Sequence, residues 1–134
     1  MSTLRCVALA IEGAFRLEPQ PVEDERGGFA RLWCRDTLRA AGLDEARLAV
    51  MQSCVSFNRR AGTLRGLHFA WPPAHEAKVV RCARGRMLDV LLDLRPGSPT
   101  WLRHVAVELD AGTRQSLVVP AGVAHGFQTL VDDT

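Results

Sequence analysis

The sequence predicts a single, mainly β domain, a sandwich or barrel of short strands with little helix. Three observations lead there. From residue 50 onward, short apolar-polar alternating stretches recur at regular spacing. Clusters of turn residues separate them, at 58–62, 95–99, 110–112 and 120–122. The chain has 134 residues, 47% of them hydrophobic and 24% charged, which suits one globular core.

Taken in order, residues 14–18 alternate and read as a strand, ended by Pro19 and Pro21. Residues 24–28 are a charged turn, and 29–34 a second strand candidate. Asp36 can cap a short helix running to Ala41, with Gly42 as its stop. A further helical turn is expected over 44–48. Residues 50–57 alternate loosely and read as β. In the strand at 63–69, strict alternation sets Arg65, Leu67 and Phe69 on one face and Leu64, Gly66 and His68 on the other. Pro72 and Pro73 break it. Strands are expected over 78–82, 87–94, 101–109, 116–119 and 124–130.

Composition narrows the function classes. The net charge of +2 gives no bulk attraction to nucleic acid or membrane, and neither partner is expected. No stretch approaches transmembrane length. No signal peptide is expected, because the apolar run at the N-terminus is too short for one. Cys6, Cys34, Cys54 and Cys82 form no CxxC pair, so free thiols in a cytoplasmic protein are expected. Sixteen arginines accompany one lysine, Lys78. Arginine grips phosphate in bidentate fashion, although a GC-rich coding bias also favours it.

Two short runs carry the candidate chemistry: Gly-Thr-Leu-Arg-Gly-Leu-His-Phe at 62–69 and Pro-Ala-Gly-Val-Ala-His-Gly-Phe at 120–127. Each ends a β-like stretch with one imidazole. His68 suits proton abstraction near neutral pH, or is a core histidine bonded to a carbonyl. His125 sits in a Pro-x-Gly-x-x-His pattern found in metal-binding cupins. The partner half of that pattern is incomplete, so no metal is expected. Lys78 can stabilise an oxyanion if it points inward, or snorkel at a strand end. Asp89 falls within a buried run and needs a partner, Lys78 or His68. Arg26, Arg31 and Arg65 are candidates for a pyrophosphate clamp, or ordinary surface residues. His75 and His104 receive no role.

Five motifs occur in a specific order: 24–29, 62–69, 76–82, 88–100 and 119–127. Together they resemble the dTDP-4-dehydrorhamnose 3,5-epimerase family, from about residue 13 to 134. The resemblance implies a cupin-type double-sheet jelly-roll barrel with short N-terminal helical turns. It implies a homodimer formed through strand exchange, and activity without metal or cofactor. The implied substrate is a dTDP-4-keto-6-deoxy sugar, epimerised at C3, C5 or both in deoxysugar biosynthesis. His68 resembles the family's base, Lys78 the residue beside the enolate oxygen, and His125 the second active-site histidine. Arg65 resembles a pyrophosphate ligand and Arg26 a phosphate contact offered to a partner subunit. Gln52 resembles a substrate-contacting glutamine, and Asp89 an inner-barrel acid.

Departures are also visible. The family's general acid is a tyrosine shortly after the His-Gly-Phe motif, and this sequence has none. The aspartate that orients the base histidine likewise belongs to the family's C-terminal part. Ala70 replaces a usual glutamine and Cys54 a usual asparagine. Residues 1–134 are therefore expected to form one epimerase domain lacking the family's C-terminal part. The alternative is a nucleotide-sugar-binding cupin with impaired catalysis.

Overall fold

The computed structural model describes residues 1–43 and 49–134. The helical turn expected over 44–48 lies outside the described residues. The strands are β1 (Thr3–Ala8), β2 (Phe15–Gln20), β3 (Val22–Asp24), β4 (Gly27–Phe29), β5 (Leu64–His68), β6 (Lys78–Arg81), β7 (Arg86–Asp93), β8 (His104–Asp110), β9 (Ser116–Val119) and β10 (Val123–Thr129). A short helix, α1 (Arg35–Ala40), and a 3-10 turn at Ala111–Thr113 complete the described elements.

Two four-stranded antiparallel sheets carry the fold, in the orders β1-β2-β9-β6 and β5-β10-β7-β8. The main core lies between them. Leu117 and Val119 from the first sheet meet Met87, Leu91, Val107, Leu109 and Val123 from the second. The two-residue period decides which side chains enter. Along β7, Met87, Asp89, Leu91 and Asp93 are buried while the intervening residues are less so. β9 is flanked by β2 and β6 and buried on both faces, so Ser-Leu-Val-Val needs no polar side. Its outward Val118 joins Leu4, Leu17 and Leu38 in a second cluster. Leu38 is how α1 seals the outer face of the first sheet.

Several expectations are corrected here. Pro19 does not end its strand, because β9 pairs only with residues 15–17 and the missing N–H costs no bond there. Residues 30–34 are not a strand; β4 stops at Phe29 and closes a hairpin with β3. The helix cap is Cys34, with Asp36 in the first turn. Residues 50–57 alternate in sequence but pair with no strand among the described residues, and Val50, Met51, Val55 and Phe57 stand exposed. β8 begins at His104 rather than at 101, because the preceding loop folds around Asp93. β1, unforeseen, is an edge strand paired along its length with β2.

Asp93 organises that loop. Its carboxylate accepts from the Arg95 backbone N–H, Arg95 Nε and the Ser98 and Thr100 hydroxyls, at 3.0, 2.8, 2.6 and 2.6 Å. Arg95 also reaches the carbonyl of Glu12 at 2.7 Å. Burial alone would raise the Asp93 carboxyl, but these donors outweigh it and hold it far below the ordinary carboxylate range.

Candidate active site

The pairing of β5 with β10 builds the site. His68 stands opposite His125, and Arg65 opposite Phe127. Between these pairs the register shifts, so Gly66 and Leu67 together oppose Gly126. That extra residue matters. Strict alternation would put Arg65 and His68 on opposite faces, but the bulge brings both to the face carrying His125 and Phe127. The expected division of this strand is thereby corrected. The next pairing, of β10 with β7, sets His125 against Leu91 and Phe127 against Asp89, both buried. The shared face is therefore the core-facing one along β7 and β10, while at the edge strand β5 both Arg65 and His68 stand exposed.

Two glycines permit the approach. A Cβ on Gly126 would lie 2.7 Å from the Arg65 carbonyl oxygen, and one on Gly66 would lie 2.5 Å from the Gly126 Cα. Side chains at either position would separate the two strands, and the two imidazoles with them.

Asp89 does not pair with Lys78 or His68, as the sequence suggested. Its partner is His125, whose Nδ1 lies 3.2 Å from Oδ2 and 3.3 Å from Oδ1. The carboxylate is fully buried. Burial pushes its pKa up, and the hydrogen bond and charge of His125 pull it partly back.

Lys78 opens β6 opposite Val119, an inward-facing core residue. Register thus places it on the inner face of the first sheet, across from the face with the histidines. Its side chain is about one-fifth exposed (21%), and its ammonium lies 2.6 Å from Glu76.

Arg65 borders a groove with Phe57, Asn58, Arg59, Arg60 and Thr63. Its Nε donates to Asn58 Oδ1 at 2.8 Å. Asn58 is itself anchored by reciprocal backbone bonds with Thr134, 2.9 and 3.0 Å long. In the sequence, residues 58–62 read only as a turn, and this support is not visible there. The Asn-Arg-Arg run immediately before the Gly-Thr-Leu-Arg motif was the available signal.

The other candidates stand apart within one chain. Arg26 sits at the tip of the β3–β4 hairpin, exposed and paired with Asp24 at 2.6 Å. Arg31 lies beside Cys34 at the start of α1, with its backbone N–H on Ser2 Oγ at 2.8 Å. Gln52 is exposed in the unpaired segment before Asn58. Among the described residues, no group of three His, Cys, Asp or Glu side chains is placed to hold a metal ion.

Comparison with known proteins bears on this arrangement. The family model described as dTDP-4-dehydrorhamnose 3,5-epimerase matches residues 8–134, nearly the whole chain. The chain belongs to this family. It is 42% identical over 125 residues to dTDP-4-dehydrorhamnose 3,5-epimerase of Streptomyces griseus, covering 93% of this chain and 60% of that one. With the Sinorhizobium fredii enzyme of the same name it shares 39% over 131 residues, covering 95% and 64%. The chain thus spans about three-fifths of the length of these curated relatives.

Among solved structures, the Bacillus anthracis 3,5-epimerase with TDP and PPi bound superposes with a TM-score of 0.88 at 34% identity, covering 98% of this chain and 73% of that one. A 3'-monoepimerase from Streptomyces bikiniensis, in complex with dTDP-quinovose, gives 0.82 at 38% identity, covering 96% and 62%. With these epimerases as structural neighbours, the two packed sheets are the cupin-type double-sheet fold that the resemblance implied.

Proposed function

We propose that this domain supplies the base and the nucleotide grip of an epimerase acting at C3, C5 or both of a dTDP-4-keto-6-deoxy sugar. The observation that carries the reading is the bulged pairing of β5 with β10. It sets His68, His125 and Arg65 on one face of the second sheet, with His125 half-buried and the edge-strand residues His68 and Arg65 exposed. A C4 ketone acidifies the C–H bonds at C3 and C5. His68 takes one of those protons, and the electron pair passes into an enolate. Lys78, on the opposing sheet, is the cation available to the enolate oxygen. Reprotonation on the other face inverts the carbon. Arg65, held by Asn58 and flanked by Arg59 and Arg60, is suited to the diphosphate. No step calls for a metal or a cofactor.

The same reading includes a cytoplasmic homodimer. Residues 50–57 carry exposed apolar side chains and pair with no strand among the described residues, and both β5 and β6 are sheet edges. A second copy can satisfy all three, and it would bring Arg26 and Gln52 toward its partner's site. A monomer by light scattering at micromolar concentration overturns this part. The four unpaired cysteines are in keeping with a reducing compartment.

The test is incubation with dTDP-4-keto-6-deoxyglucose in deuterated water. Deuterium should appear at C3, C5 or both. His68→Ala should abolish exchange, whereas Arg65→Ala should chiefly weaken dTDP binding. Folded protein that binds dTDP yet incorporates no label at either carbon defeats the catalytic reading. It would leave a nucleotide-sugar-binding cupin.

A further inference from the structure

We propose that Asp89 is a positioning residue that fixes the tautomer of His125, making Nε2 of that ring a second proton carrier beside His68. The identity of the substrate rests on the function proposed above; the tautomer does not.

Asp89 is out of reach of any ligand, being 0% exposed. It acts through what it touches. Its cross-strand neighbours are Val107 on β8 and Phe127 on β10, both apolar. A carboxylate in such a stripe is costly, and an apolar residue of similar size would serve stability as well or better. Its carboxylate accepts a hydrogen bond from the imidazole of His125, at 3.2 and 3.3 Å. The cations on neighbouring elements are engaged elsewhere, Lys78 with Glu76 and Arg95 with Asp93.

An ionised carboxylate only accepts hydrogen bonds. Nδ1 of His125 must therefore carry the proton it donates, and the lone pair of the neutral ring lies on Nε2. Asp89 also fixes the ring plane, because Nδ1 is shared almost evenly between the two oxygens. The proton balance is complete without a co-reactant. Nε2 accepts a proton from carbon, the C–H pair enters the enolate, and the imidazolium is matched by the buried carboxylate. Return of the proton to carbon restores both. His68 and His125 then form two carriers on adjacent strands, the second backed by Asp89.

The experiment uses protein labelled with ¹⁵N-histidine, read by long-range ¹H–¹⁵N correlation at pH 8, with Asp89→Asn as comparison. Wild-type His125 should show a protonated Nδ1 and a bare Nε2. In D89N the amide can also donate, so the tautomer should shift toward Nε2–H. The kcat for label exchange should fall by about 10²-fold or more, with KM for the keto sugar within about twofold. D89N should resist urea at least as well as wild type, because a buried charge has been removed. A wild-type His125 carrying its proton on Nε2 overturns the proposal, whether or not the variant folds. So does D89N with unchanged tautomer and unchanged kcat. If wild type exchanges no label at all, the epimerase reading fails while the tautomer is still decided by the spectrum.

Discussion

Replacing Gly126 with alanine would put a methyl group where β5 and β10 come closest. Its Cβ would stand 2.7 Å from the Arg65 carbonyl oxygen, and 3.1 Å from both the Gly66 Cα and Leu67 Cδ2. Leu67 is half exposed and can turn away, but the other two atoms are backbone. Ordinary contact begins near 3.4 Å, so β5 must retreat by roughly half an ångström or more. β10 is held on its other side by β7, whereas β5 is an edge strand with no second neighbour. The edge strand gives way, and His68 moves with it while His125 stays with Asp89. Overpacking of this kind costs about 1–3 kcal/mol, and a yielding edge favours the lower end. That corresponds to a fall of about 5 °C in Tm. Displacement by ~1 Å can cost ~10² in rate, so about a tenfold loss of exchange is expected for half that movement. Differential scanning calorimetry and deuterium incorporation by NMR measure the two effects. A variant with wild-type Tm and wild-type exchange would show that the tight glycine contact is not what registers the two imidazoles.

Two further effects concern stability. Asp93→Ala removes the acceptor for Arg95, Ser98 and Thr100 and should cost about 3 kcal/mol, the low end for a buried pair because Arg95 is a quarter exposed and can rehydrate. Because the folded Asp93 carboxyl is depressed, its contribution is fully present above the unfolded value near pH ~4 and fades as pH falls below it; Asp93→Asn should flatten this acid limb in urea titrations at pH 3 and pH 6. Leu102 holds a left-handed φ of 61° while 54% exposed. Leu102→Gly should therefore gain about 0.5–1 kcal/mol after the entropy cost of glycine, read as a higher urea midpoint at constant m.

Much of the fold was legible because period and punctuation coincide. β7, β9 and β10 alternate or run apolar between turn clusters, and they appear at the expected places within a few residues. What failed was local pattern without a partner. Residues 50–57 look like a strand, yet a strand exists only where another pairs with it, and the described residues offer none. β1 escaped notice because its apolar residues sit among polar ones at a sheet edge. Within the site, His68, His125 and Arg65 were visible as residue types in motifs. Their relation was not, since alternation alone separates Arg65 from His68. The partner of Asp89 was equally out of reach, because it depends on how β10 is registered against β7, 36 residues away in sequence. Asn58 read as turn punctuation until the fold placed it under Arg65.

The extra residue in β5 makes the spacing between Arg65 and His68 an odd number that nevertheless serves one side of the sheet. Smoothing the bulge into a regular ladder without losing a residue would set Arg65 opposite Gln128 and turn the guanidinium outward, leaving the imidazole where it was. The proposed grip on the nucleotide and the proposed attack on the sugar thus share a side only through one local register shift. An in-frame loss of Gly66 or Leu67, by contrast, would straighten the strand and keep both side chains on one face, two positions apart.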